Sequence, residues 1–390
     1  MCRLTPPEEP LAAFPNREPH ASCQKPATGR HPLIIPVFLP HAGCPHRCIF
    51  CNQALITGFN RKIPPPDEVE SSIRQYLHYR NKHHDGVQIA FFGGNFLGME
   101  TDQIVSLLRI GASFVQQGLA DGIRFSTRPD TVCQKQVDMM RNFPISTVEL
   151  GVQSMDDRIL SLSRRGHTAA DTVKAMQLLK DGGYETGVQM MVGLPGEDRS
   201  GLTATARAIA NMKPDFVRIY PTLVIKGSPL AQWYERGQYK PLHLENAVKR
   251  VKNLYLFFRN HHIRIIRMGL QASADLDDGS TVLDGPYHPA FGQMVYSEIF
   301  LEAVESALKS IGRSDGSVAV AVHPRNISKM RGLKNINIKK VKATFNLKAV
   351  EILPDRAIAE DCFKIEKTIF PFYQMRNEVL DFDPEDPEKV

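Results

Sequence analysis

Three closely spaced cysteines near the start of the chain are its clearest chemical feature. Cys44, Cys48 and Cys51 are separated by three and then two residues, and the other four of the seven cysteines are scattered: Cys2, Cys23, Cys133 and Cys362. An odd total with one tight group argues against a disulfide framework and favours a metal site. Three thiolates offered to a 4Fe–4S cluster leave one iron without a protein ligand. That iron could hold a chelating amino and carboxylate group, so the triplet predicts a redox-active cluster.

A structural zinc site is the alternative for the same loop. His41 or His46 could complete a set of three cysteines and one histidine. Zinc sites usually bring their ligands in two spaced pairs, whereas this loop is a single triplet. The spacing therefore favours iron and sulfur and leaves zinc as the alternative.

The cysteine loop belongs to a chain of ordinary globular composition. Its 390 residues are 42% hydrophobic and 23% charged, with a net charge of +6. This length suits one large domain and a smaller one, and the mild charge does not by itself require nucleic acid. The sequence shows neither an apolar run of roughly 18 residues nor a signal peptide. We therefore expect a cytoplasmic protein without a membrane partner.

Apolar runs and helical patterns alternate from residue 33 to residue 220. The runs typical of strands are Leu33–Leu39, Val87–Phe92, Ile123–Thr127, Thr147–Val152, Glu185–Val192 and Phe216–Tyr220. The helical patterns between them are Asp67–Tyr79, Thr101–Gln117, Thr131–Asn142, Ala169–Asp181 and Gly201–Met212. Such alternation predicts parallel βαβ units. No dinucleotide fingerprint follows the first strand, so the predicted fold is α/β, a partial (β/α)6 TIM-like barrel over residues 31–275.

Three helix starts can be predicted from capping residues. Asp67 is followed by an acid three residues later, and Thr168 is followed by Asp171, as in a capping box. Asp130 is predicted to be the N-cap of the next helix. These capping residues predict where three of the helices begin.

Glycine and polar residues follow each predicted strand. Because chemistry collects at the carboxyl ends of barrel strands, these loops should form one site. The cysteines follow the first strand, and the residues near the ends of the next four include Gly93, Gly94, Asn95, Ser126, Glu149, Gln153, Gln189, Val192 and Leu194. Phe50, directly before the last cysteine, is placed to lie beside a bound cofactor.

Several motifs together resemble a known superfamily. The C-x3-C-x2-C loop and the glycine pair after the second strand resemble the radical S-adenosylmethionine (SAM) superfamily. Thr127–Asp130, Glu149–Ser154, Arg165–Thr168 and Ile219–Ile225 look like the radical SAM domain of the Elongator catalytic subunit. Arg165-x-His167 and Gly193–Pro195 are also similar to oxygen-independent coproporphyrinogen oxidase. The resemblance covers residues 31–230 and implies a barrel of radical SAM type.

The resemblance implies a cofactor and a role for each matched position. A 4Fe–4S cluster on the three cysteines would cleave SAM reductively to a 5′-deoxyadenosyl radical. Gly93 and Gly94 would bring backbone to the methionine amino group, Arg165 would pair with the methionine carboxylate, and Asn95 would be a further cofactor-binding residue. The remaining SAM contacts would come from Phe50, Ser126, Glu149, Gln153, Gln189, Val192 and Leu194. Glu149 has an alternative role, since a carboxylate inside a strand could pair with a neighbouring arginine in the barrel core.

Departures from the Elongator pattern leave the substrate open. Ser126 and Gln189 stand where relatives carry acids, the cysteine spacing is tighter, and no acetyltransferase-length segment follows the barrel. We expect a radical SAM enzyme acting on RNA, with a tRNA base as the target. One alternative is a small-molecule substrate such as a tetrapyrrole, and another is a non-catalytic metal-containing RNA-binding protein. An enzyme of this kind would need an electron donor such as a flavodoxin or ferredoxin.

The segments outside the barrel are less informative. Residues 1–30 are predicted to be a disordered leader, and residues 276–390 a smaller α+β module. A helix at Leu244–Asn260 and a strand at Ile263–Met268, with Arg267 near its end, would extend the barrel. Tyr287 and His288 are either radical-relay groups or part of a rigid connector to a helix at Gln293–Ser310.

The C-terminal module contains a basic segment. Residues 309–348 hold ten lysines and arginines and one acid, and alternation over 335–342 predicts a strand. Such a basic strand could contact RNA phosphates, or it could be a solvated edge protected by its lysines.

Overall fold

The computed structural model describes residues 31–39, 42–45, 47–52, 63–80, 84–270, 274–277, 279–312 and 316–373. The predicted leader, Cys2, Cys23, His41 and His46 lie outside these residues, so the fourth ligand of the zinc alternative cannot be placed. In the part of the chain that is described, no helix is long and apolar enough to cross a bilayer.

A seven-stranded sheet, parallel throughout, forms the centre of the protein. Its strands, in spatial order, are β1 (His31–Leu39), β2 (His84–Gly93), β3 (Gly122–Thr127), β4 (Ile145–Gln153), β5 (Glu185–Val192), β6 (Phe216–Pro221) and β8 (Arg264–Met268). All six predicted strands are present, and β8 adds a seventh where the sequence predicted an extension. The sheet curls into a half-barrel, which confirms the predicted fold class. β1 and β8 stand at opposite ends of the strand order, and no further strand of the described residues pairs with either, so we call these two strands the free edges.

Helices connect the strands and cover the sheet. They are α1 (Pro66–Leu77), α2 (Thr101–Gln116), α3 (Gln134–Met140), α4 (Asp157–Leu162), α5 (Ala169–Asp181), α6 (Arg199–Asn211), α7 (Pro229–Glu235) and α8 (Leu244–Asn260). Their apolar faces pack on strands that are themselves apolar, as expected for a parallel sheet. In α2, for example, Ile104, Leu107 and Leu108 are buried. Each fully buried side chain of this size contributes about 1.5–3 kcal/mol.

The predicted helix starts have different outcomes. Thr168 and Asp171 form a capping box at the start of α5, as predicted. The prediction for Asp67 is wrong, because α1 starts one residue earlier, with Pro65 as its N-cap and proline at its first position. Asp67 lies in the first turn, where its charge favours the positive end of the helix dipole.

The prediction for Asp130 is also wrong. Cys133 is the N-cap of α3, and Asp130 lies in a short 3-10 turn before it. Both carboxylate oxygens of Asp130 accept hydrogen bonds from Arg128, at 2.9 and 3.0 Å. An ion pair with the buried guanidinium has taken the place of a backbone cap.

The C-terminal residues form a second, smaller sheet with helices. Its strands are β10 (Ser317–Val322), β11 (Ala349–Pro354), β12 (Cys362–Ile365) and β13 (Thr368–Pro371), in the order β11-β10-β12-β13. The helices are α10 (Phe291–Ser310), α11 (Ile327–Arg331) and α12 (Ile336–Thr344). The remaining elements of the described residues include α9 (Ala274–Asp277) and a separate antiparallel pair of strands, β7 (Val224–Ile225) and β9 (Val282–Asp284). The domain boundary at residues 275 and 276 stays a prediction.

The predicted basic strand at Asn335–Lys342 is wrong, because this segment is the helix α12. Asn337 and Val341, four residues apart, are buried on the same helix face. The Asn337 side chain donates to the Ser297 carbonyl of α10 at 2.8 Å. This tertiary contact outweighs the alternating pattern.

Candidate active site

A cavity of about 1170 Å³ opens at the carboxyl ends of the barrel strands. Pockets for single small molecules usually measure about 300–1,000 Å³, so this one has room for more than one ligand. Most of the predicted site residues line it: Cys44, Cys48, Phe50, Cys51, Gly93, Gly94, Ser126, Glu149, Gln153, Arg165 and Gln189. Asn95, Val192 and Leu194 are not part of its lining.

The cysteine loop is anchored to the end of β2 through the two glycines. The Gly94 amide donates to the Leu39 carbonyl at 2.9 Å, and the Asn95 amide donates to the Ala42 carbonyl at 2.7 Å. A Cβ on Gly93 would lie 2.7 Å from the Leu39 oxygen, and one on Gly94 would lie 2.1 Å from the Ala42 oxygen. The glycines are therefore required for the close approach of the cysteine loop itself. The predicted approach to a methionine amino group stays a prediction.

Asn95 ties three segments together from outside the cavity. Its buried side chain donates to the Gly43 carbonyl at 2.9 Å. The side-chain oxygen Oδ1 of Asn95 accepts hydrogen bonds from the Thr127 hydroxyl at 2.7 Å and from the Arg128 amide at 3.0 Å. Asn95 thus positions the cysteine loop against the end of β3.

Arg165 lies beside the cysteines. Its Nη1 donates to the Cys48 sulfur at 3.2 Å, and its Nη2 donates to the Gly151 carbonyl. Its Nε, and Nη1 of neighbouring Arg128, are buried without a hydrogen-bond partner in the described part of the chain. Such donors are costly to bury unpaired, so they indicate a place for a negatively charged group.

The surroundings of Cys44 disfavour its thiolate form. Burial, and then the charge of Cys48, raises the pKa of Cys44 to about 11, although Arg128 and Arg165 act in the opposite direction. Iron would supply the positive charge that these thiolates need. Within the described residues, no three His, Cys, Asp or Glu side chains converge as the ligands of a single ion would. The cysteines, the glycine cradle and the unpaired guanidinium nitrogens together fit a bound cluster with an anionic cofactor.

His167 is neutral in this arrangement. Burial first, and then the charges of Arg165 and Arg128, lower its pKa to about 3. It therefore adds no positive charge to the cluster side of the cavity.

A β-bulge in β4 lies directly before Gln153, a residue of the cavity wall. Gly151 pairs with Gln189 and Gln153 pairs with Met190, so Val152 is an extra residue on β4. Gln153 has a φ of 70°, in the left-handed region that non-glycine residues rarely adopt. Its side-chain oxygen accepts a hydrogen bond from Nε2 of Gln189 at 3.3 Å. Gln153 and Gln189, both predicted to contact SAM, therefore form a hydrogen-bonded pair on the wall of the cavity.

Glu149 is held between two arginines. Nη2 of Arg124 lies 2.5 Å from one of its oxygens, and Nε of Arg218 lies 2.8 Å from the other. All three side chains are largely buried. The geometry favours the alternative role as part of the barrel core, and the predicted contact with SAM stays a prediction.

Phe50 belongs to an apolar wall next to the cysteines. It packs with Tyr220 against Ile159, Met191 and Leu194. Of these, Phe50, Met191 and Tyr220 also line the cavity. An adenine ring could stack on such a wall, as predicted for Phe50.

Glu197 fixes the loop after β5, and no motif in the sequence indicated it. Its buried carboxylate accepts a hydrogen bond from the Gly193 amide at 2.8 Å and lies 3.8 Å from Arg250 of α8. The Tyr239 hydroxyl donates to the Gly193 carbonyl at 2.7 Å. Val192 and Leu194 flank this glycine. The loop predicted to face adenine is therefore fixed by the hydrogen bonds of Glu197 and Tyr239 to Gly193.

The Glu197 side chain should make stability depend on pH. Burial raises the pKa of its carboxyl from 4.5 to about 7. The folded state then holds the proton more tightly, so this contribution is complete below about pH 4.5 and is lost as pH rises through 7. We expect Glu197→Gln, which keeps the acceptor for Gly193, to gain roughly 3 kcal/mol relative to wild type between pH 4.5 and 8. Denaturant unfolding across this range measures the difference, and parallel curves for the two proteins would contradict it.

Tyr287 and His288 occupy a connector. The Tyr287 hydroxyl donates to Asp277 at 2.5 Å, and Nδ1 of His288 accepts a hydrogen bond from the Ala290 amide at 3.0 Å. Neither residue lines the cavity. These contacts favour the connector, which leads into α10.

Comparison with known proteins identifies the class that this fold and cysteine loop define. Residues 38–209 match the Radical SAM superfamily and residues 214–300 match the Radical_SAM C-terminal domain, together about two thirds of the chain. The chain belongs to the radical SAM superfamily, as its motifs predicted. Membership implies a 4Fe–4S cluster and SAM.

The chain is also similar to individual proteins. The chain is 42% identical over 260 residues to a tRNA uridine(34) acetyltransferase of Methanocaldococcus jannaschii, covering 55% of this chain and 47% of that protein. It is 31% identical over 182 residues to Elongator complex protein 3 of Saccharomyces cerevisiae, covering 40% of this chain and 32% of that protein. The structure of the archaeal Methanocaldococcus infernus Elp3 is similar in fold, with a TM-score of 0.54 and 22% identity, over 86% of this chain and 74% of that one.

The similarity to these relatives is partial. The chain spans about half the length of the archaeal and bacterial acetyltransferases that it matches.

Proposed function

We propose that this chain is a radical SAM enzyme that acts on a nucleoside of tRNA. The observation that carries the proposal is the cavity, which joins the cysteine loop to a space larger than a single small-molecule pocket requires. Of the described residues, five arginines and one acid line it: Arg47, Arg128, Arg165, Arg218, Arg267 and Glu149. This excess of positive charge suits a polyanionic substrate. The relatives named for tRNA uridine(34) make tRNA the first candidate.

A second basic surface supports an RNA substrate. We call it the α11–α12 surface, and its residues are Arg331, Lys334, Lys339 and Lys342. All four are exposed, and none has an ion pair in the part of the chain that is described. Nearby Arg325 and Lys340, by contrast, pair with Glu360 and Glu298. Unpaired surface cations of this kind contact phosphates without regard to base sequence.

When bound, the cluster supplies the electron that cleaves SAM, and 5′-deoxyadenosine reports this cleavage. The residues predicted to hold cluster and cofactor are the three cysteines, Arg165, Gln153 and Gln189. The side chains around them orient the cofactor and exclude water. The proposal includes a flavodoxin- or ferredoxin-like electron donor and a cytoplasmic location, where tRNA is found.

Anaerobically reconstituted protein should bind bulk tRNA and form more 5′-deoxyadenosine when tRNA is present. Replacing Lys339 and Lys342 together with glutamine should weaken tRNA binding and lower the slope of log affinity against log salt by about 1.5. Binding titrations at several salt concentrations measure this change.

The matched control replaces Lys174 and Lys213, two exposed lysines of the barrel region, with glutamine. It removes the same charge and should leave the salt slope unchanged. Absence of tRNA binding at low salt would overturn the RNA proposal and favour a small-molecule substrate. Absence of 5′-deoxyadenosine under all conditions would favour a non-catalytic protein.

A further inference from the structure

Arg267 is a cation of the cavity wall and is not among the residues predicted to hold the cluster or SAM. It lies on β8, the last strand of the sheet, where the half-barrel has a free edge. Its side chain is partly exposed and lines the cavity. It makes no hydrogen bond or ion pair with other described residues, whereas Arg128, Arg165 and Arg218 all have partners.

A β-bulge turns Arg267 toward the cavity. Val217 pairs with Ile265 and Arg218 pairs with Arg267, so Ile266 is an extra residue on β8. In a regular register Arg267 would stand opposite Ile219, which is fully buried against the other face of the sheet. The extra residue instead places Arg267 level with Arg218, a residue of the cavity wall.

The charge around Arg267 calls for an anion. Paired positions cross the sheet from Gln189 through Arg218 to Arg267, so these three side chains share one face. Arg218 shares the single carboxylate of Glu149 with Arg124. The Glu149 carboxylate is thus occupied by two other guanidinium groups, and no carboxylate of the described residues pairs with Arg267. A planar guanidinium binds phosphate through two parallel hydrogen bonds.

We propose that Arg267 binds a phosphate group of the RNA substrate at the free β8 edge of the half-barrel. The inference rests on the proposed function, since it assigns a contact to the same substrate. The cofactor carboxylate is the other anion of the site, and Arg165 lies beside the cysteines as its predicted partner. Arg267 lies on the strand at the opposite end of the strand order from β1. It would thus hold the backbone next to the target nucleoside while the base enters the cavity.

The test compares Arg267→Gln and Arg267→Lys with Arg264→Gln in the reconstituted holoenzyme. Arg264 lies on the same strand, but its exposed side chain pairs with Glu185 and does not line the cavity. With bulk tRNA as the probe, we expect Arg267→Gln to weaken binding roughly tenfold, as for the loss of a charge-assisted hydrogen bond. The salt slope should fall by about 0.7–0.9, the value for one phosphate contact. Arg267→Lys should restore the slope and part of the affinity, and Arg264→Gln should resemble wild type.

The outcomes separate this inference from the proposed function. If wild type binds tRNA but Arg267→Gln keeps its affinity and slope, the phosphate contact is wrong and the proposed function stands. If Arg267→Gln weakens the binding of SAM, measured by equilibrium dialysis without RNA, the residue contacts the cofactor and the inference is overturned. If wild type does not bind tRNA, both fall.

Discussion

Replacing Cys48 with alanine is expected to remove the iron–sulfur cluster and all formation of 5′-deoxyadenosine, while the barrel remains folded. Cys48 is buried, and its sulfur accepts a hydrogen bond from Arg165 at 3.2 Å. Two remaining thiolates cannot hold a cluster that needs three protein ligands. The side chain itself is small, so its loss should cost only about 1 kcal/mol of stability. Iron analysis and absorbance of the reconstituted protein measure the cluster, chromatography of the reaction products measures 5′-deoxyadenosine, and circular dichroism measures the fold.

Cys133→Ala is the matched control for this variant. Cys133 does not line the cavity, and it is the N-cap residue of α3. It should retain the full iron content and the full yield of 5′-deoxyadenosine. A soluble Cys48→Ala protein with wild-type iron would contradict the assignment, and zinc in place of iron in wild type would restore the zinc alternative.

The sequence predicts the barrel well because short, largely apolar runs alternate with helical patterns along the chain. The carboxyl ends of parallel strands meet at one edge, so the loops that follow them can be combined into a single site from the order of the strands alone. Most of the predicted residues do line one cavity, from Cys44 in the first loop to Gln189 in the fifth strand.

The register of the strands could not be predicted. The extra residues Val152 and Ile266 are ordinary apolar residues, and nothing in their composition marks a bulge. Yet the bulge at Ile266 decides whether the next side chain, Arg267, faces the cavity. Such choices depend on hydrogen bonding between strands that are far apart in the chain.

Contacts over long distances also explain the other failures. α12 is a helix because Asn337 reaches α10, and local alternation carries no information about that contact. Glu197 is fixed by Arg250, which lies more than fifty residues later. Arg124 and Arg218 did carry a signal, since arginines inside buried strands need partners, but the sequence alone could not pair either of them with Glu149.

Glu149→Leu is expected to destabilise the protein by roughly 3–5 kcal/mol, because it leaves two buried arginines without their carboxylate. Glu149→Gln should lie between this variant and wild type, since its carbonyl oxygen can still accept a hydrogen bond from Arg124. Denaturant unfolding of the protein before reconstitution measures both effects. The cofactor is absent there, so the loss would come from the barrel core itself.

Asp138→Ala provides the comparison for an exposed ion pair. Asp138 pairs with Arg141 at 3.0 Å, and more than half of each side chain is exposed. Its removal should cost less than about 1 kcal/mol. A different result would be that Glu149→Leu is as stable as Asp138→Ala but binds SAM much more weakly. In that case the Glu149 carboxylate would be a cofactor contact, and its ion pairs would not stabilise the barrel core. If Glu149→Leu combined with Arg218→Met recovers part of the stability lost in Glu149→Leu, the unpaired guanidinium is the source of the loss.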